Sequence, residues 1–118
     1  MQIIGIGTDI VSVPRITAAL SRHGDAFLEK VFSAPEIAAL PKDAMQSQRV
    51  AARFSAKEAV VKAFGTHAPL YLHDVEIKKH ESGAPYACVR GHEDKTVMLS
   101  YSHTEEDATA TAIVLSGS

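Results

Sequence analysis

The chain has 118 residues, of which 46% are hydrophobic and 22% charged, and its net charge is −2. That size and balance fit one globular domain spanning residues 1–118, and the weak acidity excludes a general nucleic-acid binder, which needs a basic footprint. No apolar run reaches the roughly 18 residues of a membrane span, no basic residues precede the apolar start as in a secretory signal, and the single cysteine, Cys88, excludes an intrachain disulfide. A cytoplasmic protein without membrane or nucleic-acid partners is expected.

Residues 2–11 alternate Ile4, Ile6, Thr8 and Ile10 on one side with Gly5, Gly7 and Asp9 on the other, which predicts a strand. Glycines inside a strand mark close approach of a ligand or of another backbone, and Asp9 shares the face they clear. Ser12 can cap a following helix with Pro14 in its first turn, which places Arg15 and Arg22 on one face. Another helix is predicted from near Asp25, and Ser33-Ala-Pro-Glu36 is a capping-box pattern that opens a short one before Pro41. Gln46 to Phe64 is the strongest helical segment and ends at Gly65. Strands are then predicted at Tyr71–Lys79, Pro85–Arg90, Thr96–Ser102 and Ala108–Leu115. This order implies an α+β fold. Charge divides unevenly along it, +2 over residues 1–65 and −4 over residues 66–118.

Successive 100° steps make the long helix apolar almost all round, except for one stripe holding Ala51, Ser55, Glu58 and Lys62. By itself Glu58–Lys62 reads as an ordinary i,i+4 pair on a solvated face. If the first strand packs on this helix, however, Asp9 and Glu58 converge as two carboxylates able to hold a hard cation, with Lys62 beside them. Of the histidines, His23, His67, His73, His80 and His92 lack metal-ligand spacing and are read as surface residues, and Cys88 is read as a core thiol.

Ile4-Gly-Ile-Gly-Thr-Asp9-Ile-Val11 and Arg53-Phe-Ser-Ala-Lys-Glu58-Ala-Val-Val-Lys62-Ala-Phe-Gly65 closely resemble the two signature motifs of the holo-acyl-carrier-protein synthases, the short 4′-phosphopantetheinyl transferases. Ser100-Tyr-Ser-His103-Thr104 and Phe32-Ser33 with Glu36 resemble two further motifs of that family, in the right order and spacing. The resemblance implies a ferredoxin-like α+β fold with an antiparallel sheet and one long buried helix, a homotrimer, and active sites at subunit interfaces. It also implies Mg²⁺-dependent transfer of the phosphopantetheine of coenzyme A to a serine of apo-acyl carrier protein, releasing adenosine 3′,5′-bisphosphate, in fatty-acid or related lipid synthesis. Carried over, Asp9 and Glu58 match the metal ligands and Lys62 the lysine beside the transferred phosphate, while Arg53, Gly65, His103 and Thr104 match coenzyme A contacts. Acyl carrier protein is acidic, so Arg15 and Arg22 are the docking candidates on the basic half of the chain. The serine's proton acceptor is left open between Glu58 and water.

The chain departs from the family pattern in one place. Only about eight residues, Arg90 to Val97, fill an interval where an amphipathic helix is usual, so a turn is expected there. The competing readings are a non-catalytic module that binds coenzyme A or carrier protein, and a pyrophosphate-cleaving enzyme that uses the same two carboxylates.

Overall fold

The alternation at the start of the chain produces β1 (Ile3–Ser12) in the computed structural model, which describes residues 1–66 and 68–117. Ser12 caps α1 (Val13–His23): its hydroxyl accepts the Arg15 N–H at 3.3 Å, and Pro14 sits in the first turn, where an N–H has no helical partner. Gly24, in the left-handed region at φ +51°, separates α1 from α2 (Asp25–Val31). Ser33 and Glu36 form the reciprocal capping box of α3 (Ala34–Ala39). The long helix α4 (Gln46–Phe64) covers the residues expected of it and stops at Gly65.

The second half is a run of strands, β2 (Val75–Lys79), β3 (Pro85–Val89), β4 (Thr96–His103) and β5 (Asp107–Leu115). The expected strand from Tyr71 begins later, because Leu72–Asp74 coils into a 3₁₀ turn whose Asp74 carboxylate accepts the Tyr71 N–H at 3.1 Å. The interval after β3 is a turn, with the Lys95 N–H donating to the His92 carbonyl at 3.0 Å, as its shortness predicts.

All pairings are antiparallel and the sheet order is β1-β5-β4-β3-β2, with β1 closing against β5. The α+β class follows directly, with α4 laid along one face of the sheet. Small residues allow that helix to lie close. A Cβ on Gly5 would collide with the Ala63 carbonyl and one on Gly7 with the Ala59 carbonyl, so only glycine permits β1 to approach α4 here. On the neighbouring strand Ala108, Ala110, Ala112 and Val114 face the same way, opposite Val11, Asp9, Gly7 and Gly5. Val60, Ala63, Val75, Val97 and Leu99 continue this core, while Val13, Ile16, Phe32 and Val50 build a second cluster under α1 to α3.

The opposite face of the sheet has no helix over it among the described residues. Ile6 is 67% exposed and Ile10 71% exposed there, and Met98, two strands across from Ile6, is exposed as well. Cys88 also points to that side, which corrects the expectation of a core thiol. Its neighbours Ala87 and Val89 point inward, and strand alternation turns Cys88 out. His23, His73 and His80 are exposed as expected, but His92 is half-buried, with its ring 4.9 Å from that of Phe64. His67 lies outside the described residues.

Candidate functional site

The close packing of β1 on α4 brings Asp9 to the polar stripe of the helix. Two hydroxyls hold the Asp9 backbone in place: Ser55 Oγ donates to its carbonyl at 3.2 Å and Thr109 Oγ1 to the same oxygen at 3.0 Å. Lys62 does not turn back to Glu58 as a simple i,i+4 pair. It reaches across to the strand, its Nζ donating to Asp9 Oδ1 and to the Thr8 carbonyl, each at 3.1 Å. The Lys62 side chain stays 53% exposed, whereas that of Asp9 is 13% exposed, so the ammonium sits at the mouth of the site and the carboxylate inside it.

Glu58 is half-buried beside this pair. Burial pushes its carboxyl above the ordinary glutamate range, the Asp9 carboxylate pushes it further the same way, and Lys62 opposes them. Two like charges held near each other in partial burial are unfavourable unless a cation joins them. No set of three or more His, Cys, Asp or Glu able to hold a metal occurs among the described residues, so this is not an all-protein metal cage. Two partly buried carboxylates beside a lysine match a small hard cation such as Mg²⁺, which keeps water and takes phosphate oxygens as its remaining ligands.

A second feature lies at the N-terminal half of α4. A cleft of about 370 Å³ is lined by Arg49, Ala52 and Arg53 of α4, Lys79 of β2, and Tyr101, Ser102 and His103 of β4. Its charged lining is entirely basic, which suits an anionic ligand. Arg53 Nη1 donates to the Arg49 carbonyl at 3.4 Å, which keeps the two arginines on one wall. Thr104 is next in sequence but its hydroxyl is occupied with its own turn, accepting the Glu106 N–H at 3.2 Å and the Asp107 N–H at 3.1 Å. Gly65, at φ +74°, terminates α4 about 18 Å along the helix axis from Arg53 at 1.5 Å per residue. Within one chain, then, Arg53 and His103 share the cleft and Gly65 does not. Arg15 and Arg22 are exposed on α1, which leaves directly from the strand that carries Asp9.

Reading the sequence alone overlooks Arg49 and Lys79 in the cleft and a buried ion pair behind it. Arg49 was signalled by its i,i+4 relation to Arg53, whereas Lys79 had no local signal. Lys57 and Glu36 meet at 2.6 Å, with side chains 0% and 7% exposed. Lys57 Nζ also donates to the Leu72 and Val75 carbonyls and lies 5.1 Å from the centre of the Phe32 ring. Burial pulls its ammonium below the usual lysine value, against the hydrogen bond and charge of Glu36.

Comparison with known proteins places this arrangement. A family model described as the 4′-phosphopantetheinyl transferase superfamily matches residues 5–114. The holo-acyl-carrier-protein synthase of Koribacter versatilis is 38% identical over 96% of this chain and 98% of its own length. The crystal structure of a holo-acyl-carrier-protein synthase from Bacillus anthracis, in complex with coenzyme A (3′,5′-ADP), superposes with a TM-score of 0.83 at 31% identity, covering 100% of both chains. The Helicobacter pylori enzyme in complex with coenzyme A gives a TM-score of 0.80 at 32% identity over 93% of this chain and 99% of that one. With its motifs, its fold and nearly its whole length in agreement, the chain belongs to the 4′-phosphopantetheinyl transferase superfamily.

Proposed function

We propose that the protein is a holo-acyl-carrier-protein synthase, which transfers 4′-phosphopantetheine from coenzyme A to a serine hydroxyl of apo-acyl carrier protein and releases adenosine 3′,5′-bisphosphate. The observation that carries this reading is the convergence of Asp9 and Glu58 from separate elements, with the Lys62 ammonium bridged to Asp9 at 3.1 Å. Asp9 and Glu58 are the residues that would hold Mg²⁺. Bound there, such an ion would supply charge neutralisation and Lewis-acid polarisation to the pyrophosphate of coenzyme A.

The remaining roles belong to the chain itself. Phosphoryl transfer is governed by positioning and charge stabilisation, and Lys62, exposed at the mouth of the site, can neutralise the departing phosphate. Arg49, Arg53, Lys79 and His103 give coenzyme A a basic cleft for its nucleotide phosphates. Thr104 adjoins that cleft in sequence, whereas Gly65, about 18 Å from Arg53 along α4, would reach the ligand from another copy of the chain. Arg15 and Arg22 offer an acidic carrier protein a complementary face next to Asp9.

A homotrimer with interfacial sites accounts for two otherwise unconnected facts. Arg53 and Gly65, assigned to one coenzyme A, lie about 18 Å apart along α4 in a single chain, and among the described residues no helix covers the isoleucine face of β1. Joining copies would bring separate motifs to one ligand and bury Ile6 and Ile10. The product of such an enzyme serves acyl-chain synthesis in the cytoplasm. The reading is tested by chromatography of the nucleotides: coenzyme A should be consumed and adenosine 3′,5′-bisphosphate formed only with apo-carrier protein present and no chelator. Phosphopantetheine released into water would instead identify a pyrophosphate-cleaving enzyme, and unchanged coenzyme A a binding module.

A further inference from the structure

The buried Lys57–Glu36 pair is remote from solvent and plays no part in the chemistry above. Its hydrogen bonds nevertheless join four elements. Glu36 Oε1 accepts the Ser33 N–H at 2.9 Å and the Lys57 ammonium at 2.6 Å, which ties α3 to α4. Glu36 Oε2 accepts the Ile77 N–H of β2 at 3.0 Å, and Lys57 also donates to the Leu72 carbonyl of the 3₁₀ turn at 3.3 Å and to the Val75 carbonyl of β2. Because β2 is the edge strand, the Ile77 N–H points away from β3 and would otherwise lack a strand partner.

The attachment matters because β2 is the outermost strand on this side of the sheet. β2 pairs with β3 over five residues, but β3 is in register with β4 at the single pair Tyr86↔Met98. Ala87 and Val89 seat β3 in the core beside Val97 and Leu99 of β4, so it is the outer strand β2 whose free edge depends on contacts to the helices. Lys79, two residues beyond Ile77, stands in the basic cleft across from Arg53, which lies one turn before Lys57 on α4. The same bridge thus grips both walls of the cleft behind the ligand position.

We propose that Glu36 and Lys57 are positioning residues that hold the β2–β3 hairpin against α4 and so set the reach of Lys79 toward a phosphate lying on Arg49 and Arg53. Only the identity of that phosphate ligand, part of coenzyme A, rests on the function proposed above. Neither residue lines the cleft, so their effect passes through its wall residues, of which Lys79 is the one on the strand they hold. That dependence separates positioning from a general contribution to folding.

The test is a double-mutant cycle on the metal-free protein, with adenosine 3′,5′-bisphosphate as the probe in titration calorimetry. Glu36→Gln combined with Lys57→Met removes the charges together, so no unpaired ion is left in the core, and circular dichroism checks that the fold is kept. This pair and Lys79→Met should each weaken binding about ten-fold, and all three changes together should weaken it no further than Lys79→Met alone. Hydrogen exchange of the β2 amides should rise about ten-fold or more in the Glu36→Gln, Lys57→Met protein, relative to β1 and β5. Wild-type affinity in that protein, or losses that multiply to about a hundred-fold in the triple variant, would overturn the proposal. If the wild-type protein does not bind the probe, the coenzyme A reading fails and the exchange measurement decides alone: unchanged β2 exchange overturns the positioning role, and faster exchange supports it.

Discussion

Burial and the Asp9 carboxylate raise the Glu58 carboxyl above its usual range, and this gives the residue opposite effects on stability and on the proposed reaction. A carboxyl whose folded pKa exceeds its unfolded one stabilises the protein most when protonated. That contribution is complete below the unfolded pKa and is lost as pH rises through the raised folded value. Glu58→Gln should therefore raise the melting temperature of chelator-treated protein slightly at neutral pH, while lowering transfer about 100-fold or more. Asp9→Ala should give a similar loss of transfer with an unchanged far-ultraviolet circular dichroism spectrum, and near-wild-type turnover of either variant at saturating Mg²⁺ would remove the metal assignment. On the acid side, turnover should fall as Glu58 takes up its proton. The stripe of Ser55, Glu58 and Lys62 was legible from helical period alone, but whether Lys62 pairs with Glu58 or crosses to Asp9 is decided by tertiary packing. Lys57 was not legible. Its partner Glu36 lies 21 residues away, and nothing local distinguishes a buried lysine from an exposed one on such a helix.

At the scale of elements, the site depends on how closely β1 lies on α4. Gly7→Ala would drive a methyl group into the Ala59 carbonyl and crowd Lys62 Cβ, so β1 must move away from the helix. Overpacking of this kind costs about 1–3 kcal/mol. Urea unfolding should register that loss, and the displaced Asp9 should raise the Mg²⁺ concentration needed for half-maximal turnover. A variant as stable as the wild type, with the same Mg²⁺ requirement, would show that the contact is slack. Element boundaries were legible wherever a cap was local, as at Ser12, at the Ser33–Glu36 box and at Gly65. The start of β2 was less so, because the Asp74 cap on Tyr71 forms a turn within residues whose side chains suit a strand. That β3 and β4 share only the aligned pair Tyr86↔Met98 left no trace in the sequence, since each strand alternates normally.

For the molecule as a whole, charge asymmetry and the bare isoleucine face make separate claims. Arg15→Glu should raise the carrier-protein KM several-fold, more at low ionic strength than at high, and leave the coenzyme A KM unchanged. An unaltered carrier-protein KM would reject α1 as the docking face. Ile10, 71% exposed on the uncovered side of the sheet, is the residue whose replacement best probes assembly. If copies join through this face as proposed, Ile10→Lys should lower the oligomeric state in sedimentation velocity and abolish transfer while keeping the secondary structure, because the half-sites would no longer meet. Monomeric wild-type protein with full activity would contradict the shared site. The small size of the chain is consistent with such sharing: 118 residues enclose a two-carboxylate site and an open basic cleft, but leave the residues assigned to one ligand apart. The central claim is that Asp9 and Glu58 support transfer of phosphopantetheine to a carrier protein. Intact-mass spectrometry of apo-acyl carrier protein incubated with coenzyme A, Mg²⁺ and the enzyme tests it most directly. The predicted result is a gain of about 340 Da, the mass of one phosphopantetheine group transferred in this chemistry, that chelator abolishes and Glu58→Gln loses. A carrier protein of unchanged mass with the wild-type enzyme, or a full gain with Glu58→Gln, would contradict the account.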